Sequence, residues 1–171
     1  DEVIAEMEND GEKVVRDLIL GFDAKPVAFF KHMTHHLFNL NLVFLSDTVN
    51  VLLTRDPEDM LPSYATWVEN PTLQDVDYKQ HVELFDYLKS QGQNPPVLDS
   101  KQILLNPKKV LSELCERIGI DFQESMLSWK AGARVEDGSW AKYWYKSVHE
   151  STGFGEYVKK YTPFPDSLKP L

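Results

Sequence analysis

The run Val49-Asn50-Val51-Leu52-Leu53-Thr54, followed without a spacer by Arg55-Asp56-Pro57-Glu58-Asp59, most narrows the folds open to this chain. A stretch that is β-branched and apolar almost throughout reads as a strand buried on both faces, the pattern of a parallel sheet covered by helices. Asp56 is a good N-cap, Pro57 takes the first helical position, and Glu58 and Asp59 place acids in the first turn. A helix is therefore predicted to begin where the strand ends. Pro62 falls inside that helix, where it removes a backbone hydrogen bond and predicts a kink.

The remaining segments repeat this alternation. Residues 3–20 predict an amphipathic helix with Val14, Val15, Leu18 and Ile19 on one side, Gly11 weakening its middle and Gly21 stopping it. Pro26-Val27-Ala28-Phe29-Phe30 predicts a short buried strand. Residues 73–91 carry Val76, Val82, Phe85 and Leu88 at helical spacing and end at Gly92. Pro96-Val97-Leu98-Asp99 predicts a further, weaker strand. Asn106-Pro107 then repeats the cap-plus-proline signal ahead of an apolar stripe, Val110, Leu111, Leu114, Cys115 and Ile118, that stops at Gly119. Connections too long for hairpins make the class α/β with a mainly parallel sheet. Residues 1–171 read as a single domain with a Pro-rich tail at 163–171.

Composition limits the partners. The chain carries 27 acidic and 18 basic residues, a net charge of −9, which argues against a broad nucleic-acid surface while leaving room for a small anion held by a few cations. The lone cysteine, Cys115, reads as a buried small hydrophobe; it builds no disulfide framework, and a reducing, cytoplasmic compartment is expected. No apolar run has the length of a membrane span and no signal peptide is visible, so no membrane partner is expected. The first residue is Asp1 and not Met, which leads us to expect a segment, or a fused or associated domain, upstream.

Two clusters carry candidate chemistry. Ligands of open parallel sheets bind outside the carboxyl ends of the strands. Arg55 stands at such an end, and Ser63 follows eight residues later on the helix that starts there. An arginine fork and a hydroxyl suit phosphate oxygens, although the same arginine is equally placed to pair with Asp56, Glu58 or Asp59. The second cluster is Lys31-His32-Met33-Thr34-His35-His36. His35 or His36 can serve as a general base, since imidazole titrates near neutrality. His32, His35 and His36 share a helical face, but no acid accompanies them and no His-Glu-x-x-His pattern is present, so no metal is expected.

Val51-Leu-Leu-Thr-Arg-Asp-Pro-Glu-Asp-Met-Leu-Pro-Ser-Tyr64 resembles the segment of the sulfotransferase family in which a strand delivers Arg-Asp-Pro and a Ser-Tyr follows. Val97 to Ile120 is similar to the strand and helix that come next in that family. Trp129-Lys-Ala-Gly132, the stretch from Gly138 to Tyr145, and Ser151-Thr-Gly-Phe154 are similar to its later segments. The resemblance covers about residues 26–155. It implies a three-layer sandwich of the P-loop NTPase-like type, and 3′-phosphoadenosine 5′-phosphosulfate as co-substrate without a metal. It implies sulfuryl transfer to a hydroxyl or amine of a small-molecule or macromolecular acceptor.

By the same resemblance, Arg55 and Ser63 hold the 3′-phosphate. Lys130 or Arg134, around Gly132, occupies the place of a loop that closes on it. Sulfotransferases of the cytosolic type set Lys-x-His after the equivalent strand; Lys31 matches, Met33 does not, and the base shifts to His35 or His36 or is absent, with His35 favoured. Nothing in residues 1–25 resembles the family's phosphosulfate loop or the strand before it. A domain without them is expected to be N-terminally incomplete, or to be a binding or structural subunit that keeps the fold without the chemistry. A phosphoryl-transferring relative of the same architecture would need a Gly-x-x-x-x-Gly-Lys-Ser/Thr run, which the chain lacks.

Overall fold

The computed structural model of the chain describes residues 5, 7–21, 26–139, 141–159 and 164–171. Two strands, β1 (Leu52–Thr54) and β2 (Val97–Asp99), pair in parallel with Leu52 opposite Val97, Leu53 opposite Leu98 and Thr54 opposite Asp99. A hydrogen bond from Leu52 N–H to the Pro96 carbonyl (2.9 Å) extends the ladder by one residue. Helices flank this small parallel sheet, as α/β predicts.

Seven α-helices are described: α1 (Gly11–Val14), α2 (Pro57–Tyr64), α3 (Tyr78–Ser90), α4 (Ser100–Leu105), α5 (Pro107–Ile118), α6 (Ala141–Trp144) and α7 (Lys146–Glu150). The caps read from the sequence form as expected. Asp56 Oδ1 accepts from Glu58 N–H (2.9 Å) at the start of α2. Asn106 Oδ1 accepts from Lys109 N–H (3.2 Å) at the start of α5. Pro57 and Pro107 sit at the first helical positions, and Pro62 is carried inside α2. Gly119, at φ 77°, ends α5 in the left-handed conformation that a side chain would strain. Cys115 is buried on α5.

Three predicted elements come out differently. The expected strand at 26–30 forms no ladder with any described residue, and Phe29 is 88% exposed. Strand propensity becomes a strand only where a neighbour takes up the backbone donors and acceptors. The expected helix over 3–20 is shorter: residues 1–4 and 6 lie outside the described residues, and Asp10 caps α1 by accepting from Lys13 N–H. From there the chain winds more widely over Val15–Ile19. The helix over 73–91 starts only at Tyr78. Asp75 accepts from both Thr72 N–H (2.8 Å) and Thr72 Oγ1–H (2.7 Å), which holds a turn, and Asp77 is left-handed at φ 59°.

The core lies in two clusters. Val15, Phe44, Leu45 and Leu88 pack together, with Leu37, Leu40 and Leu84 against them. Leu61, Val76 and Leu168 form the second cluster, joined by Met60, Tyr64 and Phe164. The described part of the Pro-rich tail therefore folds back on α2. Leu88 has no exposed surface. Leu88→Ala is expected to lower unfolding free energy in denaturant titration by about 2–5 kcal/mol. Val82→Ala, on the exposed side of the same helix, should move it by roughly 0.5 kcal/mol or less.

Candidate active site

The parallel register determines which residues meet at the sheet's end. Because Thr54 lies opposite Asp99, the next residues along each chain, Arg55 and Ser100, emerge side by side at the carboxyl edge. Asp99 accepts from Lys101 N–H (2.7 Å) and starts α4, which carries Lys101 to the same edge. A cleft of about 290 Å³ opens there, lined by Arg55, Asp59, Ser100, Lys101, Glu156 and Tyr157 among others. Neither Arg55 nor Lys101 forms an ion pair with a described residue. The nearby acids have other work: Asp56 caps α2, and Asp59 Oδ2 accepts from the Tyr157 hydroxyl (3.0 Å). The reading of Arg55 as a salt-bridge partner of these acids is thereby set aside.

Tyr157 supports both sides of the cleft. Its ring lies under Lys101 Nζ, 5.1 Å from the centroid, a distance at which the ring face attracts the ammonium. Burial first, then the hydrogen bond to Asp59 and the negative charges of Asp59 and Asp56, push its phenol above the usual tyrosine pKa. It stays a donor at neutral pH. Two unpaired cations in a confined space fit an anion with several oxygens, such as a phosphate ester.

The other anion ligands expected from the sequence stand elsewhere. Ser63 is half-buried near the end of α2, where its carbonyl accepts from Thr66 Oγ1–H (2.7 Å), and it is not among the residues lining the cleft. Lys130 and Arg134 are exposed on the segment that leads to α6 and also stand outside the cleft lining. That segment is anchored. Ser128 pairs with Gly153 in an antiparallel bridge, and Trp129 Nε1–H donates to Ser151 Oγ (2.9 Å). The Trp129 ring meets Phe154 edge to face at 5.5 Å. The separate sequence pieces 129–132 and 151–154 are thus brought together. Trp140 lies outside the described residues.

Lys31, His32, His35 and His36 stay together. His35 and His36 sit in a single turn of 3₁₀-helix, Thr34–Leu37, with ring centroids 4.6 Å apart, and His32 meets His36 at 6.5 Å. His36 Nδ1 accepts from Met33 N–H (3.4 Å). Its pKa is lowered by burial above all, then by the positive potential of His35, His32 and Lys31, against a smaller opposing pull from Asp77. Burial lowers His32 too. His35 Nδ1 lies 2.7 Å from Oδ2 of Asp77, whose side chain is 6% exposed. Among the described residues no three His, Cys, Asp or Glu groups could hold a metal ion.

Asp77 stands at the N-cap of α3 yet makes no side-chain cap, although such a bond is worth about 1 kcal/mol. The carboxylate goes to His35 instead. The next residue, Tyr78, donates its hydroxyl to the Arg55 carbonyl (2.7 Å). One turn of chain therefore touches both the histidine segment and the end of β1. Lys101 could be found by the strand-to-helix logic that singled out Arg55, since it follows Asp99-Ser100. Asp77 and Tyr157 carry no local signal, because their partners are 42 and 98 residues away.

The depressed pKa values of His36 and His32 make stability pH-dependent. The fold favours the neutral rings, so between the lowered folded values and the ordinary unfolded value near 6.5 the unfolded chain binds more protons. Their contribution is complete above about pH 6.5 and is lost as pH falls through the folded values. The melting temperature is expected to fall from pH 7.5 to pH 5.5, and His36→Gln to flatten that fall; an unchanged profile in the variant would exclude His36 as a source.

The family model for the sulfotransferase domain matches residues 1–167 of this chain. Two Arabidopsis thaliana proteins, named branched-chain-amino-acid aminotransferase-like protein 1 and protein 2, are 40% and 36% identical to it over 166 residues, which is 96% of this chain. The chain spans 30% of the length of each. No solved structure matches. A parallel strand pair that delivers Arg55 and Lys101 into one cleft, and a family match across nearly the whole sequence, agree: the chain belongs to the sulfotransferase domain family.

Proposed function

We propose that this domain transfers a sulfuryl group from 3′-phosphoadenosine 5′-phosphosulfate to an acceptor hydroxyl or amine. The observation that carries the reading is the cleft at the carboxyl ends of β1 and β2, where the Arg55 and Lys101 cations are left unpaired. These two residues grip the 3′-phosphate. The family resemblance also implies Ser63 and one of Lys130 or Arg134 as ligands of that phosphate; all three stand outside the cleft lining, so the grip rests on Arg55 and Lys101. In the same proposal, β1 and β2 belong to a three-layer sandwich of the P-loop NTPase-like type, and the domain works in the cytoplasm.

His35 takes the proton of the attacking hydroxyl or amine as the acceptor atom bonds to sulfur. The bond from sulfur to the 5′-phosphate oxygen breaks, and the electron pair leaves on that oxygen. Lys31 offsets the negative charge that gathers around the transferred group. Positioning and charge stabilisation supply most of the barrier lowering in such a transfer, and a general base adds about 10²–10⁴-fold.

A second reading has its own support. The Arabidopsis proteins bear aminotransferase-like names, and the matched region is 30% of their length. The domain would then be a sulfotransferase-derived binding or structural module of a larger protein.

Adenosine 3′,5′-bisphosphate at 100 times its Kd is expected to stabilise the protein by about 2.7 kcal/mol, read as a rise in melting temperature. Arg55→Ala and Lys101→Ala should each shrink that rise; a rise untouched by Arg55→Ala removes Arg55 from the site. Transfer of labelled sulfate to a panel of phenols and amines separates the two readings. Binding with no turnover supports the module.

A further inference from the structure

We infer that Asp77 is a positioning residue: it locks the His35 imidazole with its proton on Nδ1 and so leaves Nε2 as the atom that receives a proton. The role in turnover rests on the sulfuryl-transfer reading above; the geometry does not.

An ionised carboxylate offers only lone pairs, so the 2.7 Å contact requires that His35 Nδ1–H donate to Asp77 Oδ2. A neutral imidazole carries one such proton. In the neutral ring Nε2 of His35 is then the bare acceptor, and no described residue bonds to it. The ring borders a pocket of about 430 Å³ whose wall includes Leu37, Phe38, Leu84 and Tyr87, an apolar approach for an acceptor molecule. Asp77 reaches His35 through Oδ2, while its buried Oδ1 has no hydrogen-bond partner among the described residues. Its side chain is almost wholly buried, its backbone is left-handed, and it leaves its own helix uncapped. Asp tolerates that backbone better than most residues do.

The neighbouring histidine is set the opposite way. His36 Nδ1 accepts from Met33 N–H, so its proton stands on Nε2, and its only basic nitrogen is already occupied. Of the two histidines left open by the sequence, His35 is the one prepared to take a proton. The chain holds its own reference as well: His149 Nε2 lies 2.8 Å from Asp137 Oδ2, which fixes the proton of that ring on Nε2.

The test is nitrogen-15 NMR of the histidine rings in the 171-residue protein, at a pH where they are neutral. His35 is expected to show the Nδ1–H form and His149 the Nε2–H form. In Asp77→Gly, which suits a positive φ at no steric cost, His35 should move toward the Nε2–H form that an unconstrained imidazole prefers, with His149 unchanged as the sign of an intact fold. A wild-type His35 protonated on Nε2, or one whose tautomer is unmoved in a folded Asp77→Gly protein, overturns the inference. Should Asp77→Gly unfold the chain, the wild-type spectrum alone decides. Where sulfuryl transfer is measured, Asp77→Gly should lower kcat by about 10²-fold or more with little change in KM, and wild-type turnover in that variant rejects the role. Failure of adenosine 3′,5′-bisphosphate to bind the wild-type protein would count against the nucleotide reading and leave the tautomer result standing.

Discussion

The parallel pairing of three residues with three, Leu52–Thr54 against Val97–Asp99, underlies the rest of the arrangement. It aligns the ends of two chain segments, so that two strand-to-helix turns open at one edge. Each turn begins with an aspartate that caps the following helix and delivers a basic residue beside the cap: Arg55 before Asp56, and Lys101 after Asp99. Parallel strands need long crossovers, and the 42 residues between β1 and β2 supply one that contains α2 and α3. A slip of one residue would turn every strand side chain to the other face and separate the two cations.

The turn before α3 is the second organising point. In it Asp77 meets His35, and Tyr78 meets the Arg55 carbonyl. The spacing between the histidine segment and the cleft is thus set through two consecutive residues and not through the tolerances of separate loops. The cost is visible in a left-handed aspartate and an uncapped helix. Local rules broken at one position and compensated by long-range contacts are what functional sites tend to show.

Much of this was legible in the sequence, and for physical reasons. Caps and prolines act within a few residues, so α2 and α5 began where Asp56-Pro57 and Asn106-Pro107 predicted. The apolar runs at 49–54 and 96–99 also gave strands, although shorter ones. The run at 26–30 had equal propensity and became no strand, because pairing belongs to a partner that local sequence does not describe. The start of α3 moved for a related reason: Thr72 and Asp75 compete for the backbone in a way that helical spacing does not register. Of the groups in the proposed site, Arg55 and His35 could be singled out from residue type and place. Asp77, which orients one, and Tyr157, which steadies the cation beside the other, act across distances that spacing rules do not reach.

The wall that Tyr157 provides has a consequence for how the protein comes together. Its hydroxyl ties residue 157 to residue 59, a closure over 98 positions, and entropy makes such long closures late events in folding. An unfinished chain, still lacking its last quarter or not yet docked along it, would have both strands and the arginine but only an open ledge beside them. Under the proposed reading, anion capture would report on completion, because the cleft has this wall only once residues 59 and 157 have met.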